Sequence, residues 1–251
     1  MHNLVPVILN LNDEYWLQYC LAALSGHFPR YVIYDVGSTD RSKDIIDWFV
    51  QKEKSRADFF VRYLPFVDPV VQGCFRNSMI AEADSEWYFI VDSDEIYKPE
   101  HLRAIQNAMF YQQCDAYGNL RLEKPYGLVR RVEVVEGLDK AYGQTENRKH
   151  HRVYHSSAYW KGTHPGEVAA NFKQEDKYEF WIPDVTCYHF HNTNRSSKDS
   201  EVPKRIERRA QPTYHRGELL PIEVVKDLPI LLNRYEDFPV NPSLKKVHDS
   251  M

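Results

Sequence analysis

Apolar residues recur in two alternating patterns along the first ninety positions of the chain. Short apolar runs at residues 4–9, 31–34, 59–64 and 87–91 predict β-strands. Between them, apolar side chains at helical spacing predict amphipathic helices. The helical segments are residues 13–25, a second stretch around residues 45–49, and residues 74–84. Strands that alternate with helices predict an α/β fold with a mostly parallel, doubly wound central sheet.

The pattern changes after residue 98. A helix predicted at about 99–112 is followed by shorter apolar runs, which are typical of mixed or antiparallel strands. From residue 195 the chain is polar and basic, and the prolines beyond it disfavour long regular elements. We therefore expect residues 1–98 and 99–194 to be two halves of one domain. Residues 195–251 would be an extension that serves as a lid, a packing arm or a homodimer contact.

Composition and charge exclude several classes of protein. The 251 residues are 43% hydrophobic and 27% charged, as in ordinary soluble domains, and the net charge of −4 gives no general field that attracts nucleic acid. No run approaches the roughly 20 apolar residues of a membrane span. Acidic Asp13-Glu14 follows the first apolar run too early for a signal peptide. We expect a cytoplasmic protein without a transmembrane segment, for which peripheral membrane contact stays open.

Polar residues follow the predicted ends of three strands. Asn10 and Asn12 come after the first strand, Asp35–Asp40 after the second, and Asp92–Glu95 after the fourth. The carboxyl ends of parallel strands open on one crevice, which is where ligands bind in such sheets. These three groups are therefore expected to converge.

The Asp92-Ser93-Asp94-Glu95 run places three carboxylates close together after an apolar strand. We expect them at the strand tip rather than on a buried face. Their mutual repulsion requires a counter-charge, and a hard cation such as Mn²⁺ or Mg²⁺ supplies one while also contacting diphosphate oxygens. Taken alone, such a motif is more often an acidic turn that caps the next helix, so its surroundings decide its meaning.

Three segments in order resemble the family 2 glycosyltransferases of the GT-A fold. VPVILNLNDEYWLQYCLAAL resembles the opening strand, loop and helix of that family, and VIYDVGSTDRSKDI resembles its Asp-Asp-Gly-Ser-Thr-Asp turn. GCFRNSMIAEADSEWYFIVDSDE resembles its Arg-Asn helix and DxD strand. The resemblance covers roughly the first hundred residues. It implies metal-dependent, inverting transfer of a sugar from a nucleoside diphosphate sugar, with a UDP-sugar favoured, to a hydroxyl of a saccharide or glycolipid.

The resemblance also implies roles for individual residues. Asp35 would hydrogen-bond the donor base, Arg76 would meet the base or phosphate, Asp92 would hold the ribose or the metal shell, and Asp94 would ligate the metal. The other donor-binding residues implied by these segments are Asn10, Asn12 and Ser93. Residues 1–98 would then bind the nucleotide sugar, and residues 99–194 would bind the acceptor.

Two departures from the family pattern leave the donor base open. Leu11 stands where the family often has an aromatic residue that stacks on the base, and Val36 stands where a second acid is usual. Arg76 has a structural alternative as well, because it could pair with Glu82 or Asp84 on the same predicted helix.

Inverting transfer requires a base near the acceptor hydroxyl. Residues 160–167 are similar to a His-Glu segment of some family members, which makes Glu167 the predicted base and His164 its alternative. His189 and His191 alternate along a predicted strand, so both would point to one face and could add a metal ligand. The alternative is a histidine pair satisfied by the backbone.

Two other functions stay open at this point. A nucleotidyltransferase on a related α/β sheet is disfavoured, because no glycine-rich phosphate loop follows the first strand. A non-catalytic carbohydrate-binding module is disfavoured by the complete DxD motif.

Overall fold

Four helices and twelve strands make up the part of the chain that the structure describes. The structure is a computed structural model that describes residues 4–65, 71–113, 126–135, 141–143, 150–161, 168–169, 179–192, 218–220, 235–241 and 244. In chain order the elements are β1 (Leu4–Asn10), α1 (Glu14–Leu24), β2 (Arg30–Asp35), α2 (Ser42–Glu53), β3 (Asp58–Tyr63), α3 (Gln72–Ala83), β4 (Trp87–Asp92), β5 (Glu95–Ile96), α4 (Pro99–Gln113), β6 (Tyr126–Val135), β7 (Ala141–Gly143), β8 (His150–His155), β9 (Trp160–Lys161), β10 (Val168–Ala169), β11 (Glu179–Asn192) and β12 (Glu218–Leu220). None of these helices is both long enough and apolar enough to cross a membrane.

The first half of the sheet is parallel, with strands in the order β4, β1, β2 and β3. These four strands and the helices between them match the predicted segments to within a few residues at each end. β1, β2 and β4 are buried on both faces, which is why their sequences are almost continuously apolar. In the register of the sheet, Asn10 lies beside Asp35 and Leu9 beside Asp92, so the ends of these strands are level. The predicted convergence of their polar tips follows from this register.

The second half continues the same sheet with mostly antiparallel pairs. β8 pairs antiparallel with β4, and β6 pairs antiparallel with β8 and with β7. β11 lies parallel to β6 and also pairs antiparallel with the two-residue strand β5. The predicted α/β class, a mostly parallel sheet with a smaller mixed region, is confirmed. Residues 119–124, which form the first of the shorter runs after the helix predicted at about 99–112, lie outside the described residues.

The core has two layers because residues of the central strands alternate between the two faces of the sheet. On one face, Leu4 and Ile8 pack in a cluster that takes in side chains of α1, α2 and α4. On the other face, Val5 and Val7 pack with Met79 of α3. The sheet therefore carries three helices on one side and α3 on the other.

Residues 235–241 form an arm that packs against α1 and α2. The rings of Trp48 and Tyr235 lie 4.0 Å apart between centroids, and Trp48 Nε1 donates a hydrogen bond to the Asp237 carboxylate at 3.0 Å. Gln18 Nε2 donates to the carbonyl of Pro239 at 2.8 Å. The divisions at residues 98 and 194 stay predictions, and residues 195–217 lie outside the described part.

Candidate active site

The turn after β2 is built around the buried carboxylate of Asp35. One oxygen, Oδ1, accepts hydrogen bonds from the backbone N–H groups of Gly37 at 3.2 Å and Ser38 at 2.9 Å. The other accepts from Asn10 Nδ2 at 2.9 Å. Gly37 has φ +99°, a conformation that favours glycine. The structure thus brings Asn10 and Asp35 together, as predicted from the strand ends.

Asn12 connects the turn after β1 to the turn after β2. Its side-chain oxygen accepts from the backbone N–H of Thr39 at 2.7 Å, and its own N–H donates to Ser38 Oγ at 2.8 Å. Asp40 accepts from the N–H groups of Glu14 and Ser42, which are the first residues of α1 and α2. These hydrogen bonds give the turns a fixed shape at the carboxyl edge of the sheet.

The carboxylates of the Asp-Ser-Asp-Glu run do not all lie at an open strand tip. Asp94 is 2% exposed and Glu95 is fully buried, while the Asp92 side chain is 30% exposed. The expectation of a wholly presented motif was therefore wrong. The reason is that β5 pairs with β11, and the Asp94 carbonyl accepts a hydrogen bond from Phe190 N–H at 2.9 Å.

Two arginines supply the counter-charge to Asp92. Arg152 Nη2 donates to Asp92 Oδ2 at 2.7 Å and also to Glu95, so it bridges the two acids. Arg76 Nη2 lies 3.5 Å from Asp92 Oδ1. Burial opposes the charge on Asp92, but Arg152 and Arg76 outweigh burial and hold its pKa below the ordinary value. Sequence reasoning missed Arg152.

Arg76 does not take either of its local alternatives. Glu82 pairs instead with Arg62, at 2.8 Å, and the Arg76 guanidinium stacks over the ring of Trp160 at 5.0 Å from the centroid. Asn77 fixes that tryptophan, because it donates to the Trp160 carbonyl and accepts from the Trp160 N–H. α3 thereby fixes both the Arg76 guanidinium and the Trp160 ring beside Asp92.

Glu95 is the centre of a buried polar cluster behind Asp92. Besides Arg152, it accepts hydrogen bonds from His150 Nε2 at 3.0 Å and from the Tyr97 hydroxyl at 3.3 Å. Burial raises the pKa of Glu95, and Arg152 offsets part of that effect. Ligand atoms of Glu95, His150 and Cys187 lie within 4.8 Å of one another. Because the Glu95 oxygens already accept these hydrogen bonds, we interpret the cluster as structural.

Asp94 faces a histidine from the second half of the chain. His189 Nε2 lies 3.4 Å from Asp94 Oδ2, and His189 Nδ1 lies 2.7 Å from Arg131 Nη2. Ser93 Oγ, between the two acids, donates to Asp13 at 2.7 Å. His189 was a predicted site residue and does lie beside the motif, whereas Arg131 was missed.

Two predicted residues are not placed by the structure. Glu167 lies outside the described residues, and so does its alternative, His164. His191 lies within β11, but its side chain is not among those described.

The donor atoms beside the crevice fit a hard divalent cation. Carboxylate oxygens, which Asp92 and Asp94 provide, are the ligands that Mg²⁺ and Mn²⁺ prefer. The partly exposed side chain of Asp92 gives access from the crevice side.

A mostly parallel sheet with a carboxylate motif at its open edge and a mixed second half defines the GT-A class of fold. The model of the family described as Glycosyl transferase family 2 matches residues 7–165. The chain belongs to that family. No curated protein sequence matches the chain.

Solved structures share the fold at low sequence identity. Residues 1–349 of S. aureus TarS, solved in complex with UDP, align with a TM-score of 0.50 and 15% identity over 93% of this chain and 66% of that one. The mannosyltransferase PcManGT from Pyrobaculum calidifontis, solved with GDP-Man and Mn²⁺, aligns with a TM-score of 0.52 and 12% identity over 92% and 70%. A longer TarS structure is covered over 37% of its length. This chain therefore spans only part of TarS.

Proposed function

We propose that this chain transfers a sugar, with inversion, from a nucleoside diphosphate sugar to a hydroxyl group of a saccharide or glycolipid acceptor. The observation that carries the proposal is the level arrangement of the Asp35 turn and the Asp92-Ser93-Asp94 motif at one edge of the parallel sheet. Membership of glycosyl transferase family 2 supports the same reaction class.

The donor would lie along this edge from the Asp35 turn to the carboxylates. Asp35, with Asn10 and Asn12 shaping the turns, would face the base. Arg76 would face the phosphates or base from α3, since its guanidinium already lies beside Asp92. A UDP-sugar is favoured, and the neighbours solved with UDP and with GDP-Man make both bases worth testing.

Asp94, with Asp92, would hold Mn²⁺ or Mg²⁺, and His189 and His191 were the further ligands expected from the sequence. When bound, the cation supplies positive charge beside the leaving diphosphate. Arg152 keeps Asp92 ionised, as the direction of its pKa shift indicates, so that this carboxylate is ready to interact with a cation or a ribose hydroxyl.

The transfer step also requires a base on the acceptor side. We propose Glu167 for this role on the similarity of its segment to the family. Its carboxylate would take the proton of the acceptor hydroxyl while that oxygen bonds to the anomeric carbon, and the bond from the anomeric carbon to the diphosphate oxygen breaks. The product would have the opposite anomeric configuration.

Titration calorimetry with UDP and GDP, each with and without Mn²⁺, tests the proposal at the binding level. We expect one nucleotide to bind with Mn²⁺, and Asp94→Asn to weaken that binding at least tenfold. Asp58→Asn is the matched control, because Asp58 is exposed on β3. Binding of saccharide but of neither nucleotide would instead favour a non-catalytic carbohydrate-binding module.

Transfer is tested with the nucleotide sugar whose nucleotide binds. Product anomers followed by NMR should show inversion, and Glu167→Gln should abolish transfer while leaving nucleotide affinity unchanged. Retention of configuration, or full transfer by the Gln variant, would contradict the assigned base.

A further inference from the structure

Asp94, His189 and Arg131 lie side by side across neighbouring strands. β11 pairs with β5 on one side, where His189 is opposite Glu95, and with β6 on the other, where Arg131 is opposite Cys187. The Asp94 carbonyl is fixed to Phe190 N–H by a 2.9 Å hydrogen bond. All three side chains therefore extend from a hydrogen-bonded frame.

The separation of 3.4 Å between His189 Nε2 and Asp94 Oδ2 allows two interpretations. Two ligands of one cation, each about 2.1 Å from it and at right angles, are about 3 Å apart, so a bridging cation is geometrically feasible. A ring N–H directed at the carboxylate is the other interpretation. The proton on the imidazole decides between them.

Arg131 determines where that proton is. A guanidinium has only donors, so the 2.7 Å contact between Arg131 Nη2 and His189 Nδ1 requires a lone pair on Nδ1. A neutral imidazole with a lone pair on Nδ1 carries its hydrogen on Nε2. That hydrogen faces Asp94, and a nitrogen that carries hydrogen cannot ligate a metal.

We propose that Arg131 and His189 are a pair of positioning residues for Asp94. Arg131 fixes the tautomer of His189, and His189 presents an N–H to Asp94 Oδ2 that orients the carboxylate for the cation. His189 then acts through Asp94 and not as the metal ligand expected from the sequence. Only the orienting role of His189 toward a metal ligand rests on the proposed function. The tautomer follows from the contact between Arg131 Nη2 and His189 Nδ1.

The first test reads the tautomer directly at one fixed pH. Protein labelled with ¹⁵N in its histidine rings is studied by long-range proton–nitrogen NMR, and the His189→Gln variant assigns the signals. We expect hydrogen on Nε2 and none on Nδ1 in the wild-type protein, with and without Mg²⁺ and UDP. Arg131→Met should release the preference, and Arg131→Lys, which keeps a donor, should retain it. Hydrogen on Nδ1 in the wild-type protein, or loss of the Nε2 hydrogen when Mg²⁺ is added, would overturn the proposal.

The second test measures Mn²⁺ affinity in the presence of the nucleotide that binds. It distinguishes a His189 that orients Asp94 from a His189 that ligates the metal. His189→Gln keeps an N–H donor with similar reach, so its Mn²⁺ affinity should stay within about threefold of wild type. His189→Leu and Arg131→Met should weaken Mn²⁺ binding by about 10- to 100-fold. Equal weakening by Gln and Leu would mean that His189 is a ligand, which refutes the proposal. Failure of the wild-type protein to bind Mn²⁺ would instead refute metal use in the proposed function, and the NMR result would stand independently.

Discussion

Replacement of Arg152 by methionine should destabilise the fold, because Arg152 neutralises two acids from a buried position. Its side chain is 7% exposed, Glu95 is fully buried, and Asp92 is 30% exposed. Removal of one partner of a buried ion pair costs about 3–5 kcal/mol. Since Asp92 can be hydrated in part, we expect a value near the lower limit, about 3 kcal/mol. With a urea m-value of about 3 kcal/mol per M, the unfolding midpoint should fall by about 1 M.

Arg62→Met is the matched control for this measurement. Arg62 Nη2 lies 2.8 Å from Glu82, which is nearly the 2.7 Å that separates Arg152 Nη2 from Asp92, but the Arg62 side chain is 49% exposed. Exposed ion pairs contribute about 0–1 kcal/mol, so the midpoint of this variant should shift by no more than about 0.3 M. Tryptophan fluorescence reports both transitions. Equal shifts in the two variants would refute the argument that burial, rather than distance, sets the contribution of the Arg152 pair.

The stability that Arg152→Met loses relative to the wild-type protein should also grow as the pH rises. Without the arginine, burial raises the pKa of Glu95 further above the unfolded value of about 4.3. A group with a raised folded pKa contributes stability below the unfolded pKa and loses it as pH rises through the folded pKa. Urea midpoints at pH 6 and pH 8 measure this difference, and a deficit that shrinks at pH 8 would contradict it.

Three further predictions concern the second half and the arm. Burial, with Arg152 and Arg131 adding to its effect, lowers the pKa of His150. The contribution of His150 to stability is therefore present above about pH 6.5 and is lost as the pH falls below it, by up to about 1.4 kcal/mol per pH unit. His150→Gln should flatten the pH dependence of the urea midpoint between pH 7.5 and 5.5, and an unchanged slope argues against a neutral buried ring. A Cβ added at Gly127 would lie 2.9 Å from both Phe180 Cζ and Val153 Cβ, so Gly127→Ala should lower the free energy of unfolding by about 1–3 kcal/mol. Thermal unfolding measures this loss, and an unchanged Tm would show that both the ring and the neighbouring strand can shift. Tyr235→Ala should lower the free energy of unfolding by about 3 kcal/mol, because the ring loses its packing against Trp48. Nucleotide affinity measured by titration should stay unchanged, and weaker nucleotide binding would mean that the arm acts on the site.

The first half of the fold and the turn at Asp35 were predictable because their determinants are local. Each parallel strand is an apolar run that ends at a polar turn, and the hydrogen bonds of Asp35 to Gly37 and Ser38 join near neighbours in the chain. The convergence of Asn10 with Asp35 required only the rule that parallel strands end at one edge.

The positions of the arginine side chains around the acids were not predictable in the same way. Arg131 lies in a strand that also holds Arg130 and Glu133 among apolar residues. A charge on a buried strand needs a partner, but the sequence identifies neither which of these charges is buried nor what its partner is. Arg76 shows the same difficulty, since tertiary structure placed it on Asp92 rather than on an acid of its own helix. The burial of Asp94 and Glu95 depends on the pairing of β5 with β11, and no local pattern encodes that pairing.

The position of β11 between β5 and β6 has a consequence for the order of folding. Contacts of the Asp35 turn join residues 25 and 28 positions apart, whereas those of Arg152 with Asp92 and of His189 with Arg131 span 60 and 58 positions. Each doubling of a loop adds only about 0.6 kcal/mol of closure entropy, so the distant contacts cost little at equilibrium, but contacts of long sequence separation form slowly. During synthesis, the Asp35 turn can form as soon as the first two strands have emerged. Asp92 would have only Arg76 of α3 beside it until β8 adds Arg152, and Asp94 would not meet His189 until β11 is added. We therefore expect the carboxylate centre to be among the last parts of the sheet to mature.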